Sequence, residues 1–205
     1  MLRSLSRQAI VLPLALLGAV EARAQAFDEG TNAVNIGLGL PGFRYNYGLN
    51  GGAYRSSPAF SVSFDRGLKR LGPDVLGVGG FVGFQTERYT NSYWYYGTVN
   101  EDYRWTNLKI CVRANYHLNW WHDIDNLDLY GGVATGFNIG VLADNSTRTD
   151  NGLTSSYDAG RSIPLSFPFV GGYAGVRYLF TDQIGVYAEA GYGLSLLHGG
   201  LTFKF

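Results

Sequence analysis

Most of the chain beyond residue 31 alternates between apolar residues and polar or small residues with a period of two. The stretch NLKICVRANYHL, residues 107–118, is the clearest case: every second residue from Leu108 is apolar, and every second residue from Asn107 is polar or small. Such alternation places the two sets on opposite faces of a β-strand. Because the apolar face of each strand must be covered, the chain is predicted to form a multi-stranded antiparallel sheet.

Eight segments follow this pattern and are predicted to be strands: residues 33–40, 59–65, 75–85, 107–118, 127–141, 167–179, 184–192 and from about 196 to Phe205. Short connections join the second strand to the third, the fourth to the fifth and the sixth to the seventh. Long polar stretches join the first to the second, the third to the fourth and the fifth to the sixth. This rhythm predicts an all-β fold, an eight-stranded antiparallel up-and-down barrel with its long loops at one end.

The alternation fits a soluble ligand-binding barrel as well as a membrane barrel, because the two differ in which face is the outer one. Charged residues make up only 16% of this chain, against about 25% in ordinary soluble domains. The polar faces are rich in Gly, Ala, Ser and Asn, which suit a narrow interior, and the opposite faces carry Leu, Val, Ile and Phe. A sheet that crosses lipid must also close on itself. We therefore predict a transmembrane barrel.

The N-terminus has the features of a secretory signal peptide. Arg3 and Arg7 precede an apolar run from Ala9 to Val20, and EARAQA supplies small residues for cleavage. Cleavage after Ala26 is predicted, with Ala24 as the alternative, so that residues 1–26 are the signal peptide and residues 27–205 the barrel domain. The run is shorter than the ~20 residues that a spanning helix needs.

Several of these features together resemble a known class of proteins. The signal peptide, the eight alternating strands and a last strand with Leu201, Phe203 and a terminal Phe205 resemble the small outer-membrane β-barrels of the OmpX and OmpA-transmembrane-domain type. The segment GVRYLFTDQIGVYAEAGYG, residues 175–193, resembles the porin-like outer-membrane proteins common in Bacteroidetes.

The resemblance implies an integral protein of the bacterial outer membrane with both termini in the periplasm. Outer-membrane lipid and lipopolysaccharide would then surround the barrel. In such families the terminal aromatic strand is the signal read by the barrel-assembly machinery, which implies this role for Leu201, Phe203 and Phe205.

The polar faces also carry seven charged residues: Asp65, Lys109, Arg113, Asp128, Arg177, Glu189 and Lys204. Five of them are the candidates for a charge network inside the barrel: Lys109, Arg113, Asp128, Arg177 and Glu189. Buried charges are costly unless they are paired, and we expect Glu189 to pair with Arg177, with Arg113 sharing the carboxylate. Eight strands enclose just enough room for side chains. A packed polar interior is therefore expected, and a narrow porin-like channel for small solutes is the alternative.

The stretch from Glu87 to Trp105 is rich in tyrosine and tryptophan. Its candidates for recognition of an extracellular ligand, whose identity the sequence does not give, are Tyr93, Trp94, Tyr95, Tyr96 and Tyr103, because aromatic side chains supply large, rigid contact areas. The alternative is that the stretch extends a strand pair and only stabilises it.

Other function classes are not favoured by the sequence. The net charge is zero, so that nothing favours binding of nucleic acid. The three histidines stand in segments that do not match the His-x-Ser-Asn motif of the outer-membrane lipid A deacylase, and no catalytic, cofactor or metal site is expected. Cys111 is the only cysteine, which excludes an intrachain disulfide. The expected roles are envelope integrity or surface interaction.

Overall fold

The structure, a computed structural model, describes residues 26–41, 52–120, 124–156, 162–191 and 194–205. The predicted signal peptide, apart from its last residue, lies outside these ranges. The described residues form eleven strands: β1 (Asn32–Gly39), β2 (Ala53–Ser56), β3 (Ala59–Leu71), β4 (Asp74–Trp94), β5 (Thr98–Leu118), β6 (Leu127–Asp144), β7 (Thr147–Asp150), β8 (Leu153–Ser156), β9 (Ser162–Leu179), β10 (Ile184–Gly191) and β11 (Leu197–Lys204). Within the described ranges, no helix has the length and hydropathy to cross a membrane.

Eight of these strands form a closed ring. Every neighbouring pair is antiparallel, in the order β1, β3, β4, β5, β6, β9, β10 and β11, and β11 pairs again with β1. At the closing seam, Ala33 lies opposite Lys204 and Gly39 lies opposite His198. The backbones of Asn32 and Phe205 exchange two hydrogen bonds of 3.0 Å. The predicted eight-stranded antiparallel barrel is thereby confirmed.

The burial pattern of the barrel is the inverse of that of a soluble protein. Interior side chains such as Asn35 and Thr202 have no exposed surface, whereas Leu38, Phe137 and Val170 are 60%, 60% and 78% exposed. Polar residues inside and a continuous apolar surface outside are typical of barrels that lie in lipid. The strand faces point as the sequence alternation predicts.

The two ends of the barrel differ. The terminal end carries Asn32, Phe205 and the connections β3–β4, β5–β6 and β9–β10, whereas the opposite, extended end carries the others. The β3–β4 connection is shorter than predicted, because β3 runs on to Leu71 and only Gly72 and Pro73 form the turn. Gly72 has a φ of 68°, a conformation that glycine adopts without steric cost.

A small sheet projects beyond the ring at the extended end. We call this sheet the extension, and it consists of β2, β7, β8 and residues 86–106. It forms because β4 and β5, each 21 residues long, stay paired up to Trp94 and Thr98. β2 pairs with β4, β7 pairs with β5, and β8 pairs with β7. Residues 87–105 therefore extend a strand pair, with only Tyr95 to Gly97 as the intervening turn, and a recognition role for their aromatic side chains stays a prediction.

Candidate functional site

Seven side chains inside the barrel form a connected group, which we call the interior cluster: Asp65, Arg113, His117, Asp128, Arg177, Glu189 and His198. They come from β3, β5, β6, β9, β10 and β11, so the cluster ties six of the eight ring strands together. The side chain of His198 is 10% exposed, and the other six are at most 3% exposed.

One half of the cluster is centred on Arg177. Its Nη1 donates to Asp128 Oδ2 at 2.9 Å, and its Nη2 donates to Asp65 Oδ2. Its Nε donates to Asn35 Oδ1 at 3.2 Å. The second oxygen of Asp128 lies 2.8 Å from His117 Nδ1. The guanidinium therefore has a partner for each of its three nitrogens, the arrangement that a buried arginine requires.

The other half is centred on Glu189. Arg113 donates to both of its oxygens, at 2.6 and 3.3 Å. Tyr130 OH donates to Oε1 at 2.8 Å, and His198 Nε2 lies 2.9 Å from Oε2. The expected pairing of Glu189 with Arg177 is wrong.

Strand register explains the difference. Arg177 stands directly opposite Asp128 on β6, whereas Glu189 stands opposite Gly175 on β9 and has no charged partner there. The Glu189 side chain reaches across the interior to Arg113 instead.

Asp65 joins the two halves. It accepts from Arg177 and from Asn115 Nδ2, the latter at 2.5 Å, and its Oδ1 lies 3.5 Å from Arg113 Nε. A buried network of this kind depends on all of its members, because removal of one partner leaves an uncompensated charge inside the protein. The interior at this level is filled by paired side chains.

The terminal end is covered by residues 26–31. Phe27 is buried, and its ring stacks on His117 with centroids 3.7 Å apart and an interplanar angle of 9°. Asn119 Nδ2 donates to Phe27 O at 3.2 Å. Gly30 N donates to Gly67 O, and Gly67 N donates to Thr31 O, both at 2.9 Å. The sequence offered no alternation in this segment, so sequence reasoning missed the role of Phe27.

Lys109 lies inside the barrel but outside the cluster. It is 5% exposed, and its Nζ sits 3.6 Å from the centroid of the Phe169 ring. Its neighbours across the strands are Gly83 and Asn138, which carry no charge. Among the described residues, no carboxylate lies within ion-pair distance of Lys109. Of the five charges predicted for the interior network, four are therefore joined and Lys109 is not.

The two interior histidines each contact a carboxylate, an arrangement that can serve acid–base chemistry. His117 cannot offer its other nitrogen to a substrate, since Nε2 is buried without a hydrogen-bond partner and the ring is stacked under Phe27. Within the described ranges, no three His, Cys, Asp or Glu residues form a group that could hold a metal ion.

The aromatic residues of the extension fall into two sets. Trp94, Tyr95 and Tyr96 are 77%, 61% and 71% exposed, and Tyr93 is 38% exposed; we call these four the apex. Tyr103 is half-buried instead, with its ring stacked 6.4 Å from that of Tyr89.

The apex is held in place by the neighbouring hairpin. Tyr96 has a φ of 48°, and its carbonyl oxygen accepts from Arg148 Nη2 of β7 at 2.7 Å. The rings of Tyr95 and Tyr96 meet edge to face, with centroids 5.1 Å apart. The tip thus displays several aromatic faces from a backbone that is fixed by pairing.

The last strand places the three residues of the predicted assembly signal on the outer side. Leu201 is 50% exposed, Phe205 is 67% exposed, and Phe203 between them is half-buried. The strand is paired along both edges, with β10 and with β1.

No known family profile matches the chain, and no curated protein matches it. The fold is that of a transmembrane β-barrel, with eight strands closed around a polar interior. Similar solved structures include Ail, the attachment invasion locus protein of Yersinia pestis, in complex with the heparin analogue sucrose octasulfate. It is 14% identical, with coverage of 87% of this chain and 100% of Ail and a TM-score of 0.43.

The translocator domain of the autotransporter NalP from Neisseria meningitidis is also similar. It is 12% identical, with coverage of 88% of this chain and 78% of the NalP chain and a TM-score of 0.37. The assignment of the barrel fold rests on the strand ring and its inverted burial pattern.

Proposed function

We propose that this protein is an integral outer-membrane barrel, closed to solutes, that presents the apex to partners outside the cell. One observation carries the proposal: the charged side chains of the interior cluster are buried and paired with one another, while the outer surface of the ring is apolar. A surface of that kind is stable in lipid and not in water. Outer-membrane lipid and lipopolysaccharide are its proposed neighbours.

The proposed orientation follows from the difference between the ends. Barrels of this class have short turns on the periplasmic side and longer structures outside. The terminal end would face the periplasm with both termini, and the extension would stand outside the cell. Protease added to intact cells is expected to cut only at the extended end, in the extension or in the connections beside it. Cleavage at the terminal end in intact cells would contradict this orientation.

Membrane residence has a simple test. The folded protein is expected in the outer-membrane fraction and should migrate faster on a gel before boiling than after. Recovery in the soluble fraction without detergent would overturn the proposal and would favour a secreted soluble barrel.

The closed state is supported by the interior cluster and by Phe27. The cluster fills the cross-section with side chains bonded to one another, and Phe27 covers it from the terminal end. In planar lipid bilayers the protein is expected to give no discrete conductance steps. The double variant Arg113→Ala with Glu189→Ala, which removes two side chains from the cluster, should conduct. Reproducible steps from the unaltered protein would establish the narrow channel instead.

Surface recognition is supported by the exposure of the apex. Large aromatic side chains on a rigid backbone are typical centres of binding energy at interfaces. Cells that carry Trp94→Ala, Tyr95→Ala and Tyr96→Ala together should attach less well to at least one of a set of surfaces coated with matrix proteins or polysaccharides. A matched variant with Thr154, Ser155 and Ser156 of β8 changed to Ala should attach normally. Equal attachment of both variants to every surface would contradict a recognition role.

Recognition by the barrel-assembly machinery is proposed for the outward residues of β11. Deletion of Phe205 is expected to reduce the amount of assembled barrel at the cell surface, while barrels that do form keep nearly normal resistance to urea. Normal surface levels of the deletion variant would contradict an assembly role.

A further inference from the structure

We infer that the barrel interior contains a binding site for one small monovalent anion, a halide or a carboxylate no larger than formate, next to Lys109. The site is a cavity of about 30 Å³ on the extended-end side of the interior cluster. Lys109 supplies the positive charge, and the cavity wall includes Phe81, Cys111, Phe169 and Tyr173.

Among the described residues, the Lys109 ammonium takes part in no ion pair. Three N–H donors sit on a side chain that is 5% exposed, and the contact that the structure gives them is the face of Phe169 at 3.6 Å. A ring face attracts a cation, but it offers no hydrogen-bond acceptor of the kind an ammonium finds in water. Burial of such a group without an acceptor is costly.

The carboxylates of the interior do not supply that acceptor. Both oxygens of Glu189, which also borders the cavity, are already engaged by Arg113, by Tyr130 and by His198. Towards the extended end, the next interior carboxylate is Glu87, four residues beyond the partner of Lys109 on β4. Four residues of a strand span about 13 Å.

The cavity has the size and the wall of a site for one ion. A space of about 30 Å³ exceeds the ~10–15 Å³ that a single water molecule needs. The aromatic part of its wall is formed by Phe81, Phe169 and Tyr173. Arg113 and His198 border the space beside Glu189 and offset the charge of that carboxylate.

Entry is possible from one direction. On the terminal side of the cavity, the paired charges of the interior cluster fill the barrel. On the other side, the interior neighbours of Lys109 are the amides of Asn107 and Asn138 together with Phe81 and Leu194, whose side chains lie against Gly83. A small anion from the extended end would therefore pass uncharged side chains before it reaches the ammonium.

The experiment is chloride NMR on the folded protein in an uncharged detergent at pH 6. The unaltered protein should broaden the ³⁵Cl line in excess of detergent alone, saturably, and bromide or formate should displace the broadening. Sulfate should not displace it, because it is larger and doubly charged. The variant Lys109→Met keeps the length of the side chain and removes its charge, so it should lose the excess broadening.

Two further variants keep the test decisive. Lys69→Met removes an exposed lysine near the terminal end and should leave the broadening unchanged, whereas Lys109→Arg should retain it. Each variant is first shown to be folded by its heat-modifiable migration. The inference fails if the unaltered protein gives no excess broadening, which would mean that the cavity holds only water. It also fails if folded Lys109→Met broadens the line as strongly as the unaltered protein does.

Discussion

The interior cluster and the extension are stabilised in opposite ways. In the cluster, side chains from six strands bond to one another out of contact with solvent, and each charge depends on several partners. In the extension, the continuous backbone hydrogen bonding between β4 and β5 holds the chain. The one ion pair between these two strands is partly exposed, with 49% of the Arg88 side chain and 22% of the Asp102 side chain accessible to solvent. Loss of a single side chain should therefore matter far more inside the barrel than in the extension.

The comparison also suggests a division of roles. Because the interior cluster depends on all of its side chains, few substitutions are tolerated there. A ladder held by backbone hydrogen bonds accepts most side chains, so the apex can vary without loss of the strands beneath it. Recognition would then evolve at the tip while the barrel stays constant.

The largest effect is expected from Asp65→Ala. Asp65 is shared by Arg113 and Arg177, and its removal leaves two buried guanidiniums short of a carboxylate. Loss of one partner of a buried ion pair costs about 3–5 kcal/mol. Urea unfolding in lipid vesicles should show a loss of that order. Asp102→Ala is the matched carboxylate deletion in the extension and should change the same unfolding curve far less; equal losses would refute the contrast.

A smaller effect is expected from Gly175→Ala. A Cβ at this position would lie 2.5 Å from Tyr130 Cζ and 2.7 Å from Glu189 Cγ, so the cluster would have to shift. Overpacking of this kind costs about 1–3 kcal/mol. Gly172→Ala on the same strand is the control, because its Cβ would have as its nearest contact the Gly132 carbonyl at 3.8 Å. The free energy of unfolding should fall in the first variant only.

The smallest effect concerns the pH dependence of the extension. The hydrogen bond from Arg88 holds the pKa of the Asp102 carboxyl below its ordinary value of 3.8. The pair therefore contributes its full stability above about pH 4, and the contribution is lost as the pH falls through the lowered pKa.

The unfolding of the extension can be followed by tryptophan fluorescence emission, to which Trp94 and Trp105 contribute. Asp102→Asn should slightly lower the denaturant concentration at the midpoint of unfolding at pH 6. The difference in this midpoint between the variant and the unaltered protein should shrink progressively below pH 4. A difference that grows in acid would show that the ion pair does not stabilise the extension.

The sequence predicts the barrel well because the period-two pattern determines both strand number and strand face. The residues of the cluster are placed inside by that pattern alone, as for Arg113 and Arg177. The pattern does not predict which of these residues pair with one another, since pairing across a barrel depends on the stagger between strands, and no local pattern reveals that stagger. The arginine partner predicted for Glu189 is therefore wrong.

Two other features escape the pattern for separate reasons. Phe27 lies in a turn without alternation, and its burial depends on contact with His117, 90 residues along the chain. The strands of the extension mix polar and aromatic residues on both faces, so period two is weak there. Only their mutual pairing distinguishes them from a loop.

The seam between β1 and β11 has a consequence for how quickly the barrel can form. The Asn32 and Phe205 backbones that meet there are 173 residues apart. Pairing can instead propagate from a nearby turn in five other strand pairs: β3–β4, β4–β5, β5–β6, β9–β10 and β10–β11. Folding slows when distant segments must find each other before they are rewarded by contacts. We therefore expect closure of this seam to limit the rate at which the barrel forms, and a catalyst that held the two ends of the chain together to accelerate folding.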